Sequence, residues 1–228
     1  MKVLLFGATG MVGRGVLLEC LEDAGVESIL TLGRSPSGLQ HPKLRELVQA
    51  DLFDYSSLED PLRGLDACFF CLGVSSSGME EAAYHRMTYD LTMAAAQCLA
   101  KVSPQITFCY VSGAGTDRSE QGRTMWARVK GKTENALLRL PFKAAFMFRP
   151  GYIQPRKGVR SKTTLYRVFY AILGPLYPLW NFLFPNHVTS TELLGRAMIE
   201  VARRGYSQPY LENREINALG RRSSADGR

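Results

Sequence analysis

The chain has 228 residues, 46% of them apolar, and a formal net charge of +7. That length and apolar content suffice for one substantial core without requiring a second domain, and no stretch of eighteen clean apolar residues marks a membrane span. The positive balance favours anionic partners such as nucleotides, nucleic acid or acidic lipid, while five cysteines without scaffold spacing exclude a disulfide-stapled secreted domain and fit a reducing cytoplasm.

The first strand expected is Lys2 to Phe6. Directly behind it, Gly7-Ala8-Thr9-Gly10-Met11-Val12-Gly13 opens an amphipathic helix carrying Val16, Leu17, Leu18 and Leu21. A strand that turns sharply into a helix through three glycines is what a dinucleotide pyrophosphate needs: Gly7 for the turn, Gly10 for close approach, and Gly13 for packing the helix on the sheet. The N–H groups and dipole of the helix start hold the anion. Further strands are expected at 28–32, 47–49, 67–72, 106–111 and 144–148, with a long helix over 80–101 on which Ala83, Met87, Leu91, Ala94, Ala95, Cys98 and Leu99 recur near a period of 3.6. The alternation predicts an α/β fold, a Rossmann-like doubly wound parallel sheet spanning 1–219 as a single NAD(P)-binding domain. Residues 152–188 form its C-terminal substrate or lid region, and 220–228 a disordered polar tail.

At the end of the second strand, beside the adenosine ribose in such a sheet, stand Arg34 and Ser35 rather than a carboxylate. A guanidinium and a hydroxyl suit a 2′-phosphate, which selects NADP rather than NAD. Asp51 and Leu52 follow the third strand, where a carboxylate can accept from the adenine amine, and Leu72-Gly73 ends the fourth, leaving room for ribose and nicotinamide. Cys68 and Cys71 lie inside an apolar strand with no second Cys/His pair. His41, His85 and His187 have no ligand at metal spacing, so no metal site is expected.

In these motifs the chain resembles the extended and atypical short-chain dehydrogenase/reductase superfamily, and more narrowly the NmrA-like, NADPH-binding Tat-interacting oxidoreductase group. The resemblance rests on Gly7-Ala8-Thr9-Gly10, Phe70-Cys71-Leu72-Gly73, Val129-Lys130-Gly131-Lys132-Thr133-Glu134, Phe148-Arg149-Pro150-Gly151 and Leu211-Glu212-Asn213-Arg214-Glu215-Ile216. It implies that Thr9, Gly10, Met11 and Val12 line the pyrophosphate, Arg34 the 2′-phosphate, and Leu72 and Gly73 the nicotinamide side. Lys130 would hold the nicotinamide ribose, with Pro150, Gly151, Tyr152 and Ile153 against the nicotinamide face.

The superfamily's chemistry normally uses a Tyr-x-x-x-Lys pair and an upstream serine. Ser112 and Lys130 fit, but Trp126 occupies the tyrosine position, and an indole N–H does not ionise. Without that acid, carbonyl reduction loses about 10² to 10⁴ in rate. Tyr110, Tyr152 and His187 are the candidate substitutes. Two functions follow: an NADP-dependent oxidoreductase acting on a small carbonyl or hydroxyl compound, or an NADP(H)-binding regulator that senses redox state. Residues 156–184, rich in basic and aromatic side chains, are expected to cover the cleft or form a homodimer surface, with a peripheral membrane or protein contact as the alternative. No nucleic-acid reading motif is present.

Overall fold

The computed structural model describes residues 1–159 and 186–222. In chain order these form β1 (Lys2–Phe6), α1 (Met11–Glu22), β2 (Ser28–Gly33), β3 (Leu44–Val48), β4 (Ala67–Phe70), α2 (Glu81–His85), a π-helical turn (Arg86–Asp90) and α3 (Leu91–Val102). There follow β5 (Thr107–Val111), α4 (Met125–Leu137), β6 (Ala144–Arg149), β7 (Tyr152–Gln154), β8 (Val188–Ser190), α5 (Thr191–Arg204), β9 (Tyr210–Glu212) and α6 (Asn213–Arg222). Seven strands make one parallel sheet in the order β3-β2-β1-β4-β5-β6-β9, and β7 pairs β8 in a separate parallel ribbon.

The order reverses direction at β1, which pairs β2 on one side and β4 on the other. Alternate residues of each strand therefore feed two cores. Val3, Leu5, Phe69, Cys109 and Phe148 pack with Val16 and Leu17 of α1, Leu194 and Met198 of α5 and Ile216 of α6. Leu4, Phe6, Cys68, Phe70, Phe108 and Tyr110 pack on the other face with Leu91, Ala95 and Leu99 of α3 and Leu137 of α4. This is the doubly wound sheet expected from the alternation.

Several boundaries differ from those expected. The third strand is Leu44–Val48, not 47–49; it is the sheet edge, so Arg45 and Glu46 sit in it without burying charge, and Glu46 accepts from Thr31 Oγ1 (3.1 Å) and Ser37 N (2.7 Å). The fourth strand stops at Phe70, because the chain leaves the ladder where Gly7 approaches the Cys71 carbonyl. The 80–101 helix is broken by the π turn, in which the carbonyl of the buried Thr88 accepts from the Thr92 hydroxyl. The polar tail begins later than expected: residues 220–222 are the last turn of α6, where Gly220 lies so close to Leu193 O that a Cβ would stand 2.3 Å from it. Residues 223–228, and most of the aromatic region 156–184, lie outside the described residues.

Chain entering that region is tied down at Lys157. Its ammonium pairs with Glu19 Oε1 (2.6 Å) and Glu22 Oε2 (2.5 Å) on α1, while Arg196 of α5 reaches Glu19 Oε2 (2.9 Å). Glu19 is only 4% exposed, and Gly195 makes room for it, since a Cβ there would meet Glu19 Cγ at 2.9 Å. Among the described residues no helix is long and apolar enough to cross a membrane.

Candidate functional site

The strand-to-helix turn after β1 is built from glycine for steric reasons. Gly7 has φ +81°, and a Cβ on it would lie 2.7 Å from Cys71 O. A Cβ on Gly13 would lie 2.1 Å from Gly7 O, which draws the first turn of α1 onto the end of β1. Gly10 donates to Gly7 O (2.9 Å) and N-caps α1 without a side-chain cap, and no acidic residue stands in that first turn. The start of α1 thus presents amide donors and positive dipole toward the C-terminal edge of the sheet, the arrangement that receives a phosphate.

Three adjoining hollows lie along that edge, all bordered by Leu72. The first, of about 130 Å³, lies between the Gly7–Thr9 turn and the end of β2, with Arg34, Ser35 and Leu52 in its wall. The second, of about 230 Å³, joins Arg34, Asp51, Leu52 and Gly73 to Met87 and Leu91. The third, of about 500 Å³, is lined by Gly10, Met11, Val12, Leu72, Gly73, Ser112, Lys130, Pro150, Gly151 and Ile153. The sequence-derived site residues are therefore gathered along that edge, except Gly13, which packs behind it, Trp126 and Tyr152. The Tyr152 hydroxyl donates to Gln154 Oε1 (2.8 Å) along β7, and Tyr152 is not among the residues that line the third hollow. The Asp51 carboxylate accepts from Phe53 N (2.9 Å), an Asx turn that leaves its second oxygen for a ligand amine.

Arg14 is a residue the sequence reading passed over. It follows Gly13 in α1 and donates to Ser37 O (2.7 Å), bracing the loop that carries Arg34 and Ser35. Its signal was a cation directly after the glycine motif.

The catalytic positions are rearranged by a buried charge network. Ser112 Oγ donates to Glu134 Oε1 (2.6 Å), and the Glu134 carboxylate, fully buried, is gripped by Arg149 through Nε (3.0 Å) and Nη2. Arg149 extends to Glu212 on β9 (3.1 Å). The one Ser112 hydroxyl proton is thus directed into the core, so Ser112 does not offer the donor its superfamily role requires. Its carbonyl instead accepts from Lys130 Nζ (2.5 Å). Burial pulls the Lys130 ammonium down to about 8, against the opposing pull of Glu134.

Trp126 sits one turn before Lys130 and packs over the loop after β5. Cβ atoms built on Gly113 and Gly115 would lie 4.0 Å and 3.8 Å from its benzo ring. The candidate substitutes do not replace the missing phenol. Tyr110 is 1% exposed, and burial pushes its hydroxyl far up; Tyr152 is engaged with Gln154, and His187 is exposed outside the cleft wall.

The C-terminal motif is structural support for this end. Asn213 Oδ1 accepts from Gly151 N (3.0 Å), and the side-chain amides of Asn213 and Asn217 donate to Val188 O (2.9 and 2.8 Å). Gly151 is pressed so closely on His187 O that a Cβ would stand 2.3 Å away. Among the described residues no group of three or more His, Cys, Asp or Glu side chains could hold a metal ion.

A family model described as NAD(P)H-binding matches residues 7–138. Among curated proteins, HTATIP2 of Rattus norvegicus is 26% identical over 228 residues, covering 97% of this chain and 90% of that protein. The mitochondrial protein fmp52-2 of Aspergillus terreus is 26% identical over 203 residues, covering 87% and 85%. In fold the chain is similar to the Bordetella bronchiseptica enzyme WbmF in complex with NAD+ (TM-score 0.64, 14% identity, 95% of this chain and 76% of that one). It is also similar to DesIV, a dTDP-glucose 4,6-dehydratase of Streptomyces venezuelae (TM-score 0.63, 18% identity, 99% and 81%).

Proposed function

The chain belongs to the NAD(P)H-binding family, as an atypical, NmrA-like member of the short-chain dehydrogenase/reductase superfamily, and on that premise we propose that it is an NADP(H)-dependent oxidoreductase acting on a small carbonyl or hydroxyl compound. The observation that carries the reading is the row of adjoining hollows along the C-terminal edge of the sheet. It runs from Arg34 and Ser35, past the uncapped start of α1, to Lys130 and the Pro150–Gly151 loop. The residues fit the cofactor: Gly7 and Gly10 leave the backbone bare where a pyrophosphate approaches, and nothing lies within 4 Å of where a Cβ on Gly73 would be, so that wall is open.

Arg34 and Ser35 would take the 2′-phosphate, with Arg14 bracing their loop. Thr9 and the first amides of α1 would take the pyrophosphate, and Lys130 the nicotinamide ribose. When bound, the nicotinamide supplies or accepts a hydride. The chain's own part is to hold the two reactants in the space bordered by Val74, Val111, Ala114 and Ile153, and to manage the proton.

Calorimetric titration with NADPH, NADP+ and NADH tests the proposal. Arg34→Ala is expected to weaken NADPH binding by about tenfold to a hundredfold, the worth of a charged hydrogen bond, and to leave NADH unchanged. Equal affinity of the wild-type protein for NADH and NADPH would refute the 2′-phosphate assignment, and no binding of either would refute the function.

The second reading is a redox-sensing regulator that binds NADP(H) without turnover. Trp126 and the inward-turned Ser112 hydroxyl favour it. It is separated from the first by NADPH oxidation assays over a panel of aldehydes and quinones with the wild type and Trp126→Tyr: turnover by the variant alone supports the regulator, and turnover by the wild type the oxidoreductase.

A further inference from the structure

We propose that Lys130 Nζ itself delivers the proton to the substrate oxygen, in place of the absent tyrosine. The inference rests on the oxidoreductase reading above.

Carbonyl reduction needs a donor that faces the cleft and releases a proton near neutral pH. Each alternative in the described wall fails on chemistry. The Ser112 proton is given to Glu134. The Trp126 indole does not ionise, and its benzo ring is packed against the Gly113–Gly115 loop. Cys71 reaches the cleft, but burial pushes its thiol far up, so it holds its proton. Tyr110 lies beneath the sheet edge in the core. Lys130 is the group that remains among the described residues, and its ammonium carries three protons. One is spent on Ser112 O, which leaves one for the nicotinamide ribose and one for the substrate oxygen.

The surroundings place that proton in a useful range. Partial burial against the end of β5 disfavours the charged form, bringing it to about 8. Glu134, one turn along α4, opposes this, but its carboxylate is already engaged by Arg149 on β6 and by Ser112. Cys71, on the facing β4 end, stays neutral and adds no charge. Lys130 is therefore mainly protonated at pH 7 yet much more acidic than a surface lysine.

The balanced step is simple. The bound dinucleotide would supply the hydride for the carbonyl carbon, and at Lys130 an Nζ–H bond breaks as the O–H bond of the alcohol forms. The alcohol leaves, and the neutral amine recovers a proton from water.

The test pairs a titration with kinetics. The ¹³Cε signal of Lys130, assigned by its absence in Lys130→Arg, is followed from pH 6 to 11 in the free and NADPH-bound protein. A midpoint near 8 in both is expected; a midpoint above about 10, the ordinary lysine range, overturns the proposal whatever the turnover. With 4-nitrobenzaldehyde, wild-type kcat is expected to fall as pH rises through the same midpoint. Lys130→Arg, which keeps the charge and donors but not an acidic proton, is expected to lose about 10² to 10⁴ in kcat, a loss that persists at saturating NADPH. A variant that retains kcat overturns the assignment. A wild type that binds NADPH, titrates near 8 and reduces no aldehyde or quinone overturns the oxidoreductase reading and this step with it.

Discussion

Replacing Glu134 by glutamine probes the buried network most directly. Glu134 is fully buried, Arg149 is 8% exposed, and the carboxylate accepts from Ser112 Oγ and from two guanidinium nitrogens. The amide keeps one acceptor oxygen but turns an NH2 toward a donor, leaving the half-exposed Glu212 as the carboxylate partner of Arg149. Removing one partner of a buried pair costs about 3–5 kcal/mol, because the remaining charge is stranded in low dielectric. For a domain of this size each kcal/mol moves the midpoint by about 2–4 °C, so a fall of about 6–20 °C is expected. Urea and thermal unfolding followed by far-UV circular dichroism measure it. The double variant Glu134→Leu/Arg149→Met removes both charges and is expected to lose less than Glu134→Gln alone, since no ion is left unpaired. A Glu134→Gln protein within about 1 kcal/mol of wild type, or a double variant that loses the sum of the singles, would refute the reasoning.

Gly13→Ala places a methyl 2.1 Å from Gly7 O, a backbone atom that cannot step aside; the expected outcome is a loss of about 1–3 kcal/mol and of NADPH binding, read by thermal shift and calorimetry. Asn213→Ala strands the Gly151 amide, and Val188 O keeps only Asn217, so a cost of about 1–3 kcal/mol and faster hydrogen exchange at Gly151 are expected. Lys130→Met has a pH signature. The lysine's folded value lies below its free value of 10.5, so between about 8 and 10.5 the unfolded chain binds more protons and wild-type stability rises with pH. The methionine variant is therefore expected to be more stable than wild type at pH 7, with the advantage shrinking across that window. Parallel melting curves that stay a constant distance apart would contradict the buried lysine.

Where the fold was legible, the hydrophobic pattern was strong: β1, β2, β4 to β6 are apolar runs because they are buried on both faces. β9 was not legible, since three residues with one core side chain, Leu211, carry no period, and it exists because β6 offers an unpaired edge. β7 and β8 are equally short and depend on Asn213 and Asn217 far along the chain. In the site, the glycines and the Arg34–Ser35 strand end were readable because their roles are local. Glu134 was not: four residues after Lys130, it reads as an exposed helical ion pair, and only its three-dimensional neighbours reveal a buried acceptor. The same holds for Ser112, whose position was foreseen but whose hydroxyl direction is set by that hidden carboxylate.

The clamp formed by Glu212 and Asn213 has a consequence for the order in which this protein becomes competent. The loop at Gly151 is held by side chains that leave the ribosome more than sixty residues after it, and α1, whose start faces the phosphates, packs on α5 from the same late part of the chain. A nascent or prematurely terminated chain would thus lack the support of both ends of the cleft at once, so ligand capture would report a chain synthesised through its last helices.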